Sequence, residues 1–148
     1  MAITPPIHIL ALSGGGYRGL YTATVLAELE KVLGRPIAQH FDLICGTSAG
    51  GMLALGLASE IPATELKDLF EKQGGRIFGS RSLSRRLFGF WLTAKHSSEG
   101  LRGVLADRFG DTTLGDLKHP VLIPAVNYST GKGQFFKTPH HPSFELDH

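Results

Sequence analysis

A serine does acyl-transfer chemistry only where the chain around it is shaped for the task. Ser48 stands in Gly46-Thr47-Ser48-Ala49-Gly50, the pattern G-x-S-x-G. The apolar run Phe41 to Cys45 precedes it, and an apolar helical run, Ala49 to Ala58, follows. At such a strand-to-helix junction the serine sits on a sharp turn with its oxygen clear of the backbone. The flanking Gly46 and Gly50 remove side chains that would clash there. The next helix points its N-terminus at the serine, and its free N–H groups favour a developing negative charge. A turn of small residues has the same spelling, so the strand before and the helix after carry the functional reading.

A second glycine cluster, Gly14-Gly15-Gly16-Tyr17-Arg18-Gly19, satisfies G-x-G-x-x-G, the spelling of a dinucleotide-binding turn. That use expects an acidic residue at the end of the second strand, about 20 positions on, to hold a ribose hydroxyl. Asp42 lies 23 residues after Gly19. It opens the second strand, however, and the far end of that strand carries Gly46 and Ser48. The other use of consecutive glycines beside a nucleophile is an oxyanion hole. Gly15 and Gly16 can turn two N–H groups toward one point at little steric cost.

The elements that must position these loops follow from periodicity. Ile7 to Leu12 reads as a buried strand entering the glycine turn. Leu20 to Leu33 carries Val25, Leu26, Leu29 and Leu33 at helical spacing, with Gly34 as a stop and Pro36 beyond. Phe41 to Cys45 is the second strand and Ala49 to Ala58 a helix apolar nearly all round. Pro62 opens a helix with Leu66, Leu69 and Phe70 on one face. Residues 74 to 98 read as irregular. Glu99 to Phe109 is helical, striped by Leu101, Val104, Leu105 and Phe109 and closed by Gly110. Pro120 to Val126 is a third strand, in which Pro124 marks an edge or a bulge. Ser129 to Gly133 is a turn, and Gln134 to Lys137 a return strand. Alternating strands and helices predict a three-layer α/β fold with a mainly parallel sheet, whose sites lie at the carboxyl ends of the strands.

The 148 residues suggest one domain, and 42% hydrophobic with 19% charged residues fits a globular core. A net charge of +2 is too small to imply nucleic acid. One cysteine excludes an internal disulfide framework and fits a reducing compartment. No apolar run is long enough to span a membrane, and the N-terminus lacks the features of a signal peptide. The reading is a cytoplasmic protein.

With these residues in place, the sequence resembles the patatin-like phospholipase family. The resemblance rests on G-G-G-x-R-G at Gly14 to Gly19 and G-T-S-A-G at Gly46 to Gly50. The intervening helix and the stretch from Ser97 to Thr138 also fit, so it covers essentially the whole chain. It implies an α/β/α fold and a serine lipid acyl hydrolase of phospholipase A or lysophospholipase type, using a Ser–Asp dyad. Ser48 would be the nucleophile. Gly14, Gly15, Gly16 and Arg18 would form or support the oxyanion hole, with Ala49 as a further donor. No cofactor or metal is implied. The partner is a membrane phospholipid or other acyl lipid, met peripherally at the inner membrane surface.

The sequence departs from the family pattern twice. Many members have Asp before the triple glycine, where this chain has Ser13. The dyad aspartate of the family lies in Asp-Gly-Gly or Asp-Gly-Ala, and this sequence contains no Asp-Gly dipeptide. The expectation is that residues 1–148 form the N-terminal part of a single catalytic domain. Two alternatives stay open: a naturally short inactive chain, and Asp147 in the aspartate's place. Taken alone, the chain should hydrolyse little and tend to self-associate through uncovered sheet edges and apolar faces.

Residues 72 to 98 contain six basic residues and no acidic one. One reading places Arg81, Arg85, Arg86, Phe88, Phe90 and Trp91 against an anionic membrane. The other is a loop whose apolar residues pack on the core. The histidines His140, His141 and His148 lack metal-ligand spacing and read as a polar turn. A Ser–His–Asp esterase would draw on Asp107, Asp111 or Asp116 with His119, His140 or His141. A rival from another class is a chain that binds lipid, nucleotide or a partner without catalysis.

Overall fold

The computed structural model describes residues 5–78 and 93–139. Strand β1 (Ile9–Leu12) leads through a 3-10 turn (Gly16–Arg18) into α1 (Gly19–Leu33). A second 3-10 turn (Ile37–His40) precedes β2 (Leu43–Gly46), which is followed by α2 (Ala49–Ala58) and α3 (Ala63–Phe78). Helix α4 (Thr93–Phe109), a third 3-10 turn (Leu114–Asp116), β3 (Val121–Asn127) and β4 (Lys132–Lys137) complete the order.

The four strands form one sheet in the order β1-β2-β3-β4. The pairs β1–β2 and β2–β3 are parallel, and β3–β4 is an antiparallel hairpin. Successive parallel strands step the same way across the sheet. Right-handed crossovers then place α1 and α2 on one face. The burial alternation agrees: Leu12, Ile44 and Val121 point into a core shared with Ala23, Leu26, Leu53, Leu57 and Phe70. On the opposite face Ile9 and Ala11 are exposed, and Leu43, Cys45, Leu122 and Pro124 are half-buried. Among the described residues no helix covers that face.

Helix α1 ends where expected, on Gly34 in the left-handed region at φ 69°, whose N–H donates to the Glu30 carbonyl at 2.9 Å. Its buried face differs from the apolar stripe of the sequence. Of Val25, Leu26, Leu29 and Leu33 only Leu26 is buried, and the inner face is Gly19, Ala23, Leu26 and Ala27. Close packing against α3 explains this. A methyl at Gly19 would stand 2.6 Å from the Phe70 ring, so small residues face inward.

Two boundaries also move. The stretch read as irregular from residue 74 is helical over 74–78 and again over 93–98, while 79–92 lie outside the described residues. Gly74 and Gly75 each disfavour a helix interior by about 1 kcal/mol. Tertiary packing overrides that: a methyl at Gly74 would sit 2.5 Å from Tyr17 Cδ2, so the helix needs glycine where it meets the first glycine loop. Pro124 lies past the last β2–β3 pair, Cys45 with Leu122, so its missing N–H removes no bond to β2. Its register partner is Phe135 on β4.

The C-terminal end of α2 is fastened by Glu60. Its carboxylate accepts from Gln39 Nε2 at 3.0 Å and Lys118 Nζ at 2.7 Å, and stands 3.2 Å from His119 Nε2. These bonds join the second 3-10 turn, the α2–α3 turn and the approach to β3. Hydrogen bonds from Gln39, then Lys118 and His119, hold the Glu60 carboxyl down at about 2. Glu30 has a parallel role, accepting the backbone N–H of Ile37 at 3.3 Å and of Ala63, at the start of α3, at 3.2 Å.

Candidate active site

The carboxyl ends of β1 and β2 bring the two glycine motifs together. Ser48 leaves β2 and caps α2 with φ 53° and ψ −122°, a backbone conformation that a residue with a side chain rarely adopts. The strain has a visible cause in the neighbours. A methyl on Gly46 would overlap the Gly50 carbonyl and lie 2.7 Å from Gly51 N. A methyl on Gly50 would overlap the Leu12 carbonyl oxygen and lie 2.9 Å from that of Ser13. The turn therefore closes only with glycine at both positions, and it holds Ser48 on the exposed surface. The buried apolar helix α2 behind it keeps the turn from relaxing.

The first glycine loop lies directly against this turn. The Gly14 N–H donates to Thr47 Oγ1 at 3.1 Å, and a methyl at Gly14 would stand 3.2 Å from Ser48 Cβ. Gly15 (φ 151°) and Gly16 (φ 59°) take conformations that disfavour side chains. Arg18 folds back over the loop, donating through Nε to the Gly15 carbonyl at 3.4 Å. Behind the loop stand Phe70 and Phe78 of α3, with ring centroids 5.9 Å apart. Among the described residues the N–H groups of Gly15, Gly16 and Ala49 donate no hydrogen bond, whereas that of Gly50 donates to the Thr47 carbonyl at 2.9 Å.

The model of the patatin-like phospholipase family matches residues 10–147. The chain belongs to that family. A cGAMP-activated phospholipase of Pseudomonas aeruginosa is 83% identical over 97% of this chain and 43% of that protein. A protein of the same name from Vibrio cholerae is 45% identical over 95% of the chain and 44% of its own length. Human calcium-independent phospholipase A2-gamma is 34% identical over 81% of the chain and 16% of its length. The chain thus spans less than half the length of these relatives. As in the family, the fold is α/β with a mainly parallel sheet.

Within this patatin-like frame the candidate residues divide. Ser48, Gly15, Gly16, Ala49, Gly46 and Gly50 converge at the two loops. Gly14 is there too, but its N–H is engaged by Thr47, which makes it a support rather than a donor. Arg18 likewise braces Gly15. Asp42 lies at the opposite end of β2, where its carboxylate accepts the His8 N–H at 2.7 Å. A four-residue strand rises about 13 Å, so Asp42 cannot reach Ser48 or a ribose held by the glycine loop.

A Ser–His–Asp arrangement through His119 is ruled out on the same ground. His119 is held by Glu60 at the C-terminal end of α2, and ten helical residues span about 15 Å. Asp116 is occupied in a capping box with Thr113. Asp107 is exposed near the end of α4, and Asp111 just after it. His140, His141, His148 and Asp147 lie outside the described residues, as do Arg81, Arg85, Arg86, Phe88, Phe90 and Trp91. Among the described residues no cluster of His, Cys, Asp and Glu could hold a metal ion. No helix of the described residues is long and apolar enough to cross a membrane.

An open cleft of about 220 Å³ adjoins the turn on the face of the sheet that no described helix covers. Ser13, Cys45, Gly46, Thr47, Leu122 and Pro124 contribute to its walls. Burial pushes the Cys45 thiol up, so it is a poor thiolate despite its place beside the turn. Sequence reasoning passed over Thr47 and Glu60. The first was legible only as the unspecified second position of G-x-S-x-G, and the second carries no local signal.

Proposed function

We propose that this chain supplies the nucleophile and oxyanion loops of a serine lipid acyl hydrolase. The carrying observation is Ser48 on a strained glycine-flanked turn, beside a loop with two N–H groups that donate to no described residue. In this reading Ser48 Oγ attacks an ester carbonyl carbon of a phospholipid, giving its proton to a base. The negative charge that forms on the carbonyl oxygen rests on the N–H groups of Gly15, Gly16 and Ala49. Collapse expels the alcohol, which takes up the proton, and leaves an acyl-serine. Water then releases the fatty acid and restores the hydroxyl.

The base we assign, from the family pattern, is an aspartate outside these 148 residues, which would then be the N-terminal part of one catalytic domain. The Pseudomonas and Vibrio relatives are named as cGAMP-activated. We extend that regulation to this protein: a cyclic dinucleotide switches on hydrolysis of phospholipid at the cytoplasmic membrane surface. The experiment is fatty-acid release by the full-length protein from phosphatidylglycerol vesicles, with and without cGAMP. Release that requires cGAMP and disappears in Ser48→Ala supports the proposal. Release unaltered by Ser48→Ala overturns the catalytic assignment, and release indifferent to cGAMP overturns the regulatory one.

A further inference from the structure

The N–H, carbonyl and hydroxyl of Thr47 are each hydrogen-bonded, to three different segments. Its N–H donates to the Leu12 carbonyl at 3.3 Å, at the end of β1. Its carbonyl accepts the Gly50 N–H at 2.9 Å, in the first turn of α2. Its hydroxyl oxygen accepts the Gly14 N–H at 3.1 Å. The first two bonds use backbone atoms that any residue has. The third depends on the side chain, and it is the bond that reaches the oxyanion loop.

That bond fixes the peptide plane between Ser13 and Gly14. The following residues, Gly15 and Gly16, have positive φ and no side chains. Within the loop the Arg18 N–H donates to the Gly15 carbonyl at 3.2 Å and the Gly19 N–H to that of Gly16; these bonds close the 3-10 turn but do not tie it to the Ser48 turn. The Arg18 side chain adds a longer bond to the same Gly15 carbonyl, from Nε at 3.4 Å. We infer that Thr47 is a positioning residue, whose hydroxyl holds the glycine loop at the distance and orientation from Ser48 that oxyanion stabilisation requires.

This rests on the acyl-hydrolase reading above. A donor acts only when it stands about 2.7–3.1 Å from the oxyanion, and removing one donor costs about 10²–10³ in kcat. Loosening two without deleting them should cost less.

The test compares Thr47→Val, which keeps the shape but loses the acceptor, with Thr47→Ser, which keeps the oxygen. Both are made in the full-length protein and assayed on a soluble p-nitrophenyl ester. Active sites are counted by fluorophosphonate titration, so misfolded molecules drop out of the rate. The expected result is a fall in kcat per titrated site of about 10- to 100-fold for Thr47→Val, with KM changed less than about threefold. Thr47→Ser should recover most of the rate. Amide hydrogen exchange at Gly14 to Gly16 should quicken in Thr47→Val and not in Thr47→Ser.

An unchanged kcat per titrated site, or equal impairment of the two variants, overturns the positioning role while the acyl-hydrolase reading stands. Turnover in the parent protein that survives Ser48→Ala overturns that reading, and the role with it.

Discussion

Gly50→Ala separates the geometry of the turn from ordinary helix preference. In a helix interior alanine is favoured over glycine by about 1 kcal/mol, so propensity alone predicts stabilisation. The structure predicts the reverse. The added methyl would overlap the Leu12 carbonyl oxygen and lie 2.7 Å from the carbonyl carbon and 2.9 Å from the Ser13 oxygen. These are backbone atoms and cannot rotate away. Comfortable carbon contacts are about 3.5–4.0 Å, so α2 and the end of β1 must part by about 1 Å. Overpacking of this kind costs about 1–3 kcal/mol or more. Set against alanine's advantage of about 1 kcal/mol, the net expectation is no stabilisation and a loss of up to about 2 kcal/mol.

The same separation pulls Gly14 off Thr47. A misplacement of about 1 Å near reacting groups can cost about 10²-fold in rate. The assay is urea unfolding together with the rate of fluorophosphonate labelling at Ser48, in the full-length protein. Gly75→Ala is the control, because a methyl there meets none of the described residues within 4 Å. It should stabilise by about 0.5–1 kcal/mol and leave labelling unchanged. A Gly50→Ala protein as stable and as quickly labelled as the parent would refute the close-approach argument.

Other outcomes follow from the same structure. Glu60 has a carboxyl lowered to about 2 by Gln39, Lys118 and His119, so the unfolded chain binds its proton more readily than the folded one. Stability from Glu60 is therefore complete above about pH 4.5 and falls away as pH drops toward 2. Urea midpoints across that range should show a shallower acid slope in Glu60→Gln, along with lower stability at pH 7; parallel curves would contradict the role given to the cluster. If residues 72 to 98 touch the membrane, reversing charge at Arg81, Arg85 and Arg86 should reduce sedimentation with anionic vesicles several-fold and spare binding to neutral ones. Equal binding to both by parent and variant would contradict a membrane role for these arginines.

The sequence disclosed the two glycine-flanked turns better than the packing. G-x-S-x-G and G-G-G were legible because the constraint behind them is local: a turn too tight for Cβ atoms leaves a spelling. The disagreement over Asp42 was legible as well, because strand direction tells which end of a sheet a residue occupies. What escaped depended on contacts distant in sequence. The outward stripe of α1 looked like a core face until Phe70 filled the space beside Gly19. Gly74 and Gly75 looked like a break until Tyr17 explained the first of them. Glu60 gave no sign of its role, since its partners come from residues 39, 118 and 119.

The central claim is that Ser48 is a nucleophile made reactive by its turn and by the glycine loop. Intact-protein mass spectrometry after exposure to a fluorophosphonate tests it most directly. The full-length protein, treated with cGAMP, should gain one adduct, mapped by peptide sequencing to Ser48 and lost in Ser48→Ala. An adduct on another residue, or none in a protein that releases fatty acid, would contradict it.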